Sequence, residues 1–336
     1  MPASFAFLSN RIHGCLLGGA LGDAVAATGA DGQQELRISE ATRLALYSLD
    51  GLQEAIEWAN EGVGADETAC IWLAYLRWLR NHGVALPEGG LVPLPRPIDA
   101  EPLLQEQPDA ASLDPEILTA LSTGEMGTRQ RPVNRTSASP APLVRSAPFG
   151  LLPYVEADTV YKLSLDAASL THGHPSALHA AAVFACTVHE LLVPGATVRG
   201  AAAAAAERTA PASDGGAPEL AGQLQSVLTG SQAGGTAAAA EVPAATRALV
   251  TGLRAALEAE DQAGDTAETD GPQAARAVAD ALRTAAAEGG VPAAVVAGAL
   301  LGTRFGVRAL PAADTLHEYS AIERLAAAFA EKTVAR

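Results

Sequence analysis

The sequence predicts an all-α protein, a single large multi-helix domain spanning residues 1–336, on three observations. Apolar residues recur at three- to four-residue spacing in segment after segment, and no alternating run lasts long enough for a strand. Hydrophobic residues make up 49% of the chain and aromatics only 4%, so the interior must be built from Ala, Leu and Val, which favours close-packed helices. Near the N-terminus stands a glycine-punctuated apolar stretch, RIHGCLLGGALGDAVAA, over Arg11–Ala27.

In that first helix Cys15, Leu16, Leu17, Ala20, Leu21 and Ala24 fall on one face and should be core. Gly14, Gly18, Gly19 and Gly22 each cost a helix ~1 kcal/mol relative to Ala. Such glycines belong where another backbone, or a ligand, comes close. Asp23 ends the stretch, either within a packed helix end or entering a site.

Ser39 reads as the N-cap of the next helix, with Glu40 in its first turn, where a carboxylate suits the dipole. Asp66 caps a third helix, Glu67–Arg80, closed by His82-Gly83. Residues 84–115, rich in Pro, Leu and acid, read as a long surface connection with room for one short helix, followed by a short helix over Asp114–Ser122. Gly127–Pro148, with its prolines, should be an ordered loop without regular structure. Helix is expected again over Leu151–Leu165 and over Ser176–Leu192, where Pro175 suits a first turn. Beyond residue 200, helical pieces at Leu220–Thr229, Ala244–Ala259 and Pro272–Ala287 alternate with Gly-rich links, so the Ala/Gly/Glu-rich region near 200–287 should be flexible, above all the acidic link Glu260–Gly271. Val295–Gly302 is an apolar helix like the first, and Ala321–Lys332 a final amphipathic one.

The formal charge of -16 repels phosphate backbones and excludes a nucleic-acid binder. Cys15, Cys70 and Cys186 are far apart, odd in number and set in apolar helical patterns, which fits a reducing, cytoplasmic compartment and no disulfide framework. No signal sequence or uninterrupted membrane span is read.

The order of segments resembles the ADP-ribosylglycohydrolase family, the bacterial-type group that includes the dinitrogenase reductase-activating glycohydrolase. Gly22-Asp23-Ala24 matches the end of the family's first helix, and Ser39-Glu40-Ala41-Thr42 matches in position its Thr-Asp-Asp-Thr start. AYLRWL at Ala74–Leu79, GTRQRPVN from Gly127 and VRSAPFGLL from Val144 follow in family order, as do LTHGHPSALHAAAVFA from Leu170 and AGALLGTRFGVRALP from Ala297. The resemblance implies an all-α fold and hydrolysis of the bond between ADP-ribose and a side chain. It also implies two Mg²⁺ or Mn²⁺ ions, held at Thr-Asp-Asp-Thr and at a Gly-Gly-Asp-x-Asp-Thr/Ser motif before the AGALLG helix.

The departures fall on the chemistry. Aligned without a gap, the two C-terminal aspartates become Gly289 and Val291 and the Thr/Ser becomes Pro292; aligned on Gly289-Gly290, the aspartates become Val291 and Ala293. A rival placement of the first motif at Ala65-Asp66-Glu67-Thr68 keeps two acids, but the helix after Ser39 matches better. The family's Gly-rich loop is replaced by Ser139-Pro140-Ala141-Pro142, and proline removes the N–H donors such a loop supplies.

Asp23, Glu40, His172 and His174 are therefore the catalytic candidates, and Ser39, Thr42, Arg145 and Gly173 the ligand-binding ones. Arg145 suits a phosphate or a core carboxylate, and the two histidines suit acid–base work or plain loop hydrogen bonding. No metal ligand set and no cofactor is predicted, with metal binding weak or absent. The expected partners are an ADP-ribose-like or other small-molecule ligand and a protein partner, with no nucleic acid and no membrane. Three readings follow: a pseudoenzyme of this family with a degenerate metal site and a surviving ligand cleft; a repurposed, metal-independent enzyme acting on an N-glycoside or small metabolite; and a non-enzymatic interaction protein.

Overall fold

The computed structural model describes residues 4–28, 35–87, 90–105, 113–209, 216–230, 242–264 and 271–334, and among them there is no strand. The helices are α1 (Phe5–Thr28), α2 (Glu40–Asn60), α3 (Glu67–Asn81), α4 (Pro102–Gln105), α5 (Pro115–Ser122), α6 (Ala141–Val144), α7 (Ala157–Ser169), α8 (Pro175–Glu190), α9 (Val198–Glu207), α10 (Pro218–Thr229), α11 (Ala244–Ala263), α12 (Pro272–Phe305) and α13 (Tyr319–Val334). The predicted caps, Ser39 and Asp66, stand where the residue types require, and Asp114 adds a third. Ser39 Oγ accepts from Ala41 N at 3.2 Å, Asp66 Oδ1 from Ala69 N at 3.0 Å, and Asp114 Oδ1 from Glu116 N at 2.8 Å.

α12 is a hairpin rather than a rod. Gly290 adopts φ 64° and ψ -160°, left-handed backbone that a glycine tolerates without strain, and Pro292 sits two residues into the returning arm. Leu282 of the outgoing arm fills the space beside Gly298, and Ala274 clusters with Ala309 and Phe305, so the arms lie antiparallel. By length and composition Pro272–Phe305 could cross a membrane. Its turn at Gly290 and the burial of most of its returning arm make it a core element instead.

The returning arm runs against α1 through a seam of small residues. Gly14 faces Gly302, Gly18 faces Gly298 and Gly22 faces Ala294, and a Cβ on any of the three α1 glycines would lie under 3.0 Å from the opposing carbonyl. α8 is buried nearly all round, from Ala180 through Cys186, as an apolar helix inside a large domain must be. The thiols behave as small hydrophobes: burial pushes Cys15 and Cys186 up to about 12 and Cys70 up to about 11.

The short helix expected in the 84–115 connection is the single-turn α4, preceded by a 3₁₀ turn at Pro97–Ala100. Three segments differ from expectation. The Gly127–Pro148 loop is not wholly irregular: it carries the single-turn α6 and enters a 3₁₀ turn at Ala147–Gly150. Residues 151–156 form a buried-anchor turn at Leu151 and Leu152, and helix begins only at Ala157, beyond Pro153. α11 continues through Glu260 to Ala263, because Glu260 accepts from Val198 N at 2.9 Å and pairs with Arg304 at 2.7 Å. The remaining flexible-link expectation, at 210–215, 231–241 and 265–270, lies outside the described residues.

Candidate functional site

Three segments converge on a cavity of about 200 Å³: the first turn of α2, the loop into α6, and the turn that starts the returning arm of α12. Its walls are mainly apolar, from Ala41, Leu44, Trp78, Ile117, Pro140, Ala141, Val144, Val291 and Pro292, with Glu40, Asp114, Ser139 and Arg145 as the polar members. The tertiary fold thus brings together the two motif positions that lie some 250 residues apart in the chain, Ser39–Thr42 and 289–292. Val291 and Pro292 border the cavity whereas Ala293 is fully buried behind them, which favours the gap-free register. Glu67 and Thr68 border a separate groove with Leu52 and Leu163, so the rival placement of the first motif does not reach this cavity.

Asp23 is fully buried and holds the start of α2 from outside. Its Oδ2 accepts from Ser39 N at 2.9 Å, Ser39 Oγ at 3.0 Å and Thr42 N at 3.3 Å. Burial raises its pKa, and the donors from Thr42 and Ser39 oppose that rise. Ser39 and Thr42 are consequently turned toward Asp23 and do not border the cavity.

Glu40 does border it, with Oε2 hydrogen-bonded and Oε1 at ion-pair distance from a guanidinium but without a hydrogen bond. Oε2 accepts from Trp78 Nε1 at 3.1 Å and lies 2.9 Å from His82 Nε2, while Oε1 lies 3.2 Å from Arg43 Nε. Trp78, His82 and Asp114 were not singled out from the sequence. His82 follows the last residue of α3 and reads there only as a helix stop, and its approach to Glu40 depends on how α2 and α3 pair.

Arg145 is 1% exposed and begins a chain of hydrogen bonds. Nε donates to Tyr75 Oη at 3.0 Å and Nη2 to Thr171 Oγ1 at 2.6 Å. With Arg145 donating, the Thr171 hydroxyl gives its hydrogen to His172 Nδ1 at 2.9 Å, so His172 Nε2 carries the ring proton and donates to Glu116 Oε2 at 3.1 Å. Ser137 Oγ donates to the same carboxylate at 2.6 Å. Burial, reinforced by the nearby Arg145 charge, lowers the His172 pKa to about 3. His172 is therefore a neutral spacer between α5 and the Arg145 chain at ordinary pH. His174 caps its own helix by accepting from Ser176 N at 3.2 Å. A Cβ at Gly173 would meet Pro132 and Val133, so this glycine accommodates the 132–133 loop. Of the eight candidates only Glu40 and Arg145 reach the cavity wall.

The donor set does not fit a pair of divalent ions, which need several oxygen ligands each. Glu40 is hydrogen-bonded by Trp78 and sits at ion-pair distance from Arg43 and His82, Asp114 is committed to capping α5, and Ala41, Val291 and Pro292 offer no side-chain oxygen. Among the described residues no group of three or more His, Cys, Asp or Glu could hold a metal.

The family model for ADP-ribosylglycohydrolase matches residues 5–336. A solved structure described as an ADP-ribosylglycohydrolase-related protein complex has a similar fold, with a TM-score of 0.60 at 21% identity, covering 98% of this chain and 100% of that one. No curated protein matches significantly.

Proposed function

The chain belongs to the ADP-ribosylglycohydrolase family, and from that premise we propose that it is a member without the family's two-metal hydrolytic centre, a pseudoenzyme that keeps a ligand cavity. One observation carries this reading: both motif regions meet at one cavity, and they bring a single carboxylate to its wall, Glu40, which is hydrogen-bonded by Trp78 and lies at ion-pair distance from His82 and Arg43. Without ligands for the ions, metal-assisted attack on the ADP-ribosyl bond has no means of activating water. The reading keeps a small molecule as the partner, ADP-ribose-like or otherwise, and the three buried free cysteines accord with a reducing, cytoplasmic setting.

Metal-independent turnover by Asp23, Glu40, His172 and His174 has less support, because three of the four lie off the cavity wall and His172 is held neutral. The test is calorimetric titration of ADP-ribose with and without Mg²⁺, beside an assay for ADP-ribose release from ADP-ribosylated arginine. No metal-dependent binding and no release are expected. Tight binding that requires Mg²⁺, or Mg²⁺-dependent release, would overturn the reading.

A further inference from the structure

We propose that the cavity is a receptor site for a small monocarboxylate with an apolar body, anchored by Arg145. The proposal rests on the reading above, that no metal pair occupies this place.

The first observation is an uncompensated charge. Arg145 is 1% exposed and has no Asp or Glu within ion-pair distance among the described residues. The buried guanidiniums of Arg43, Arg77 and Arg304 each meet a carboxylate, from Glu318, Asp50 and Glu260 respectively. Arg11, the other buried arginine without an acid among the described residues, is more open at 9% exposure and bonds to the Thr303 carbonyl; it rests over the Phe7 ring as Arg145 rests over that of Tyr75. A buried cation is costly unless an anion or several acceptors meet it.

The second observation is an unused donor. Two of the three Arg145 nitrogens are used, by Tyr75 and Thr171, neither of which borders the cavity. Nη1 alone is sealed from solvent without a partner, on a residue that does border it. Ser139 offers a second donor on the same wall. Its Oγ accepts from Ala141 N at 3.2 Å, which leaves the hydroxyl hydrogen for a ligand. Two donors suit the two oxygens of a carboxylate.

Size and charge set the class. About 200 Å³ lies below the ~300–1,000 Å³ of ordinary ligand pockets, so a whole dinucleotide does not fit within it. Leu44, Ile117, Val144 and Val291 supply an apolar wall for the body of the ligand. Glu40 and Asp114 on the same wall would repel a second negative charge, which disfavours a phosphate dianion.

The probes are acetate, isovalerate, benzoate and indole-3-acetate, titrated calorimetrically into the full chain beside benzamide, benzylamine and inorganic phosphate. At least one of isovalerate, benzoate and indole-3-acetate should bind, with benzamide at least tenfold weaker than benzoate if benzoate is the binder, and with benzylamine and phosphate silent. Arg145→Met should weaken binding at least tenfold. Should that variant not fold, Val291→Phe, at a partly exposed position, fills the cavity and should have the same effect. No carboxylate binding at 10-fold above millimolar concentration, or equal binding by benzamide and benzoate, overturns the proposal. The ADP-ribose release assay is run in parallel: Mg²⁺-dependent release overturns the pseudoenzyme reading, whereas failed carboxylate binding without release overturns this inference alone.

Discussion

The returning arm of α12 serves two regions that differ in what they require of the sequence. Along its length it presses on α1 through Gly298 and Gly302, where what matters is the lack of side chains. At its start, Val291 and Pro292 face the cavity, where function in the family depends on particular oxygen atoms being present. The seam is close-packed backbone, whereas Ala41, Val291 and Pro292 offer the cavity no side-chain oxygen. Close backbone approach is a condition for folding, so any added Cβ there is felt at once. A carboxylate absent from a cavity edge spares a costly buried charge and leaves the packing unharmed. On the proposed reading, the fold has outlasted the chemistry it once positioned.

The sharpest way to break this contrast is a side chain in the seam. Gly302→Val sets a branched side chain against the Gly14 carbonyl and should cost ~5 kcal/mol or more, or prevent folding, by urea denaturation. Val291→Ala, at the start of the same arm but on the cavity wall, should cost less than ~1.5 kcal/mol in the same experiment. Equal effects would erase the distinction.

Next in size is a pH effect from beside the cavity. His172 is neutral in the folded protein, with its pKa near 3 rather than 6.5, and protonates on unfolding. The unfolded chain thus binds the extra proton between these values, and stability should fall by several kcal/mol as pH drops from about 6.5 to about 3. His172→Gln should flatten that part of the stability curve, measured by urea denaturation at stepped pH. An unchanged slope would mean that His172 is not buried as described.

Asp23→Ala bears on the junction between the two regions. It removes the acceptor for Ser39 and Thr42 and should cost ~1–2 kcal/mol, with faster hydrogen exchange confined to the first turn of α2. The smallest change expected is Glu40→Gln, about 1 kcal/mol or less, accompanied by a shift in Trp78 fluorescence. Adding Mg²⁺ should leave the Tm of both this variant and the parent unchanged. A Mg²⁺-dependent rise in the parent that Glu40→Gln abolishes would show that Glu40 is a ligand after all.

Much of the fold is legible in the sequence because its causes are local. Ser39, Asp66 and Asp114 cap helices through bonds to residues two or three positions ahead, and the glycine spacing of α1 announces a close approach before the partner is known. Pro153 and Glu260 show where local reasoning fell short. The first lies in a turn anchored by Leu151 and Leu152, and the second continues a helix because Val198 and Arg304 bond to it from far along the chain.

The site divides in the same way. The sequence by itself determined the all-α class, the small residues of the seam and the lack of side-chain oxygens at 289–292, since residue type alone says what a side chain can donate. Only the tertiary structure decided that Asp23 holds the first turn of α2, that Glu40 meets Trp78, His82 and Arg43, and that Arg145 has no acid beside it among the described residues. Apart from the Arg43 contact within α2, those contacts join different segments, 16 residues apart for Asp23 and Ser39 and 38 for Glu40 and Trp78. A pairing depends on which helices meet and at what register, and burial then makes each surviving partner, or its absence, count.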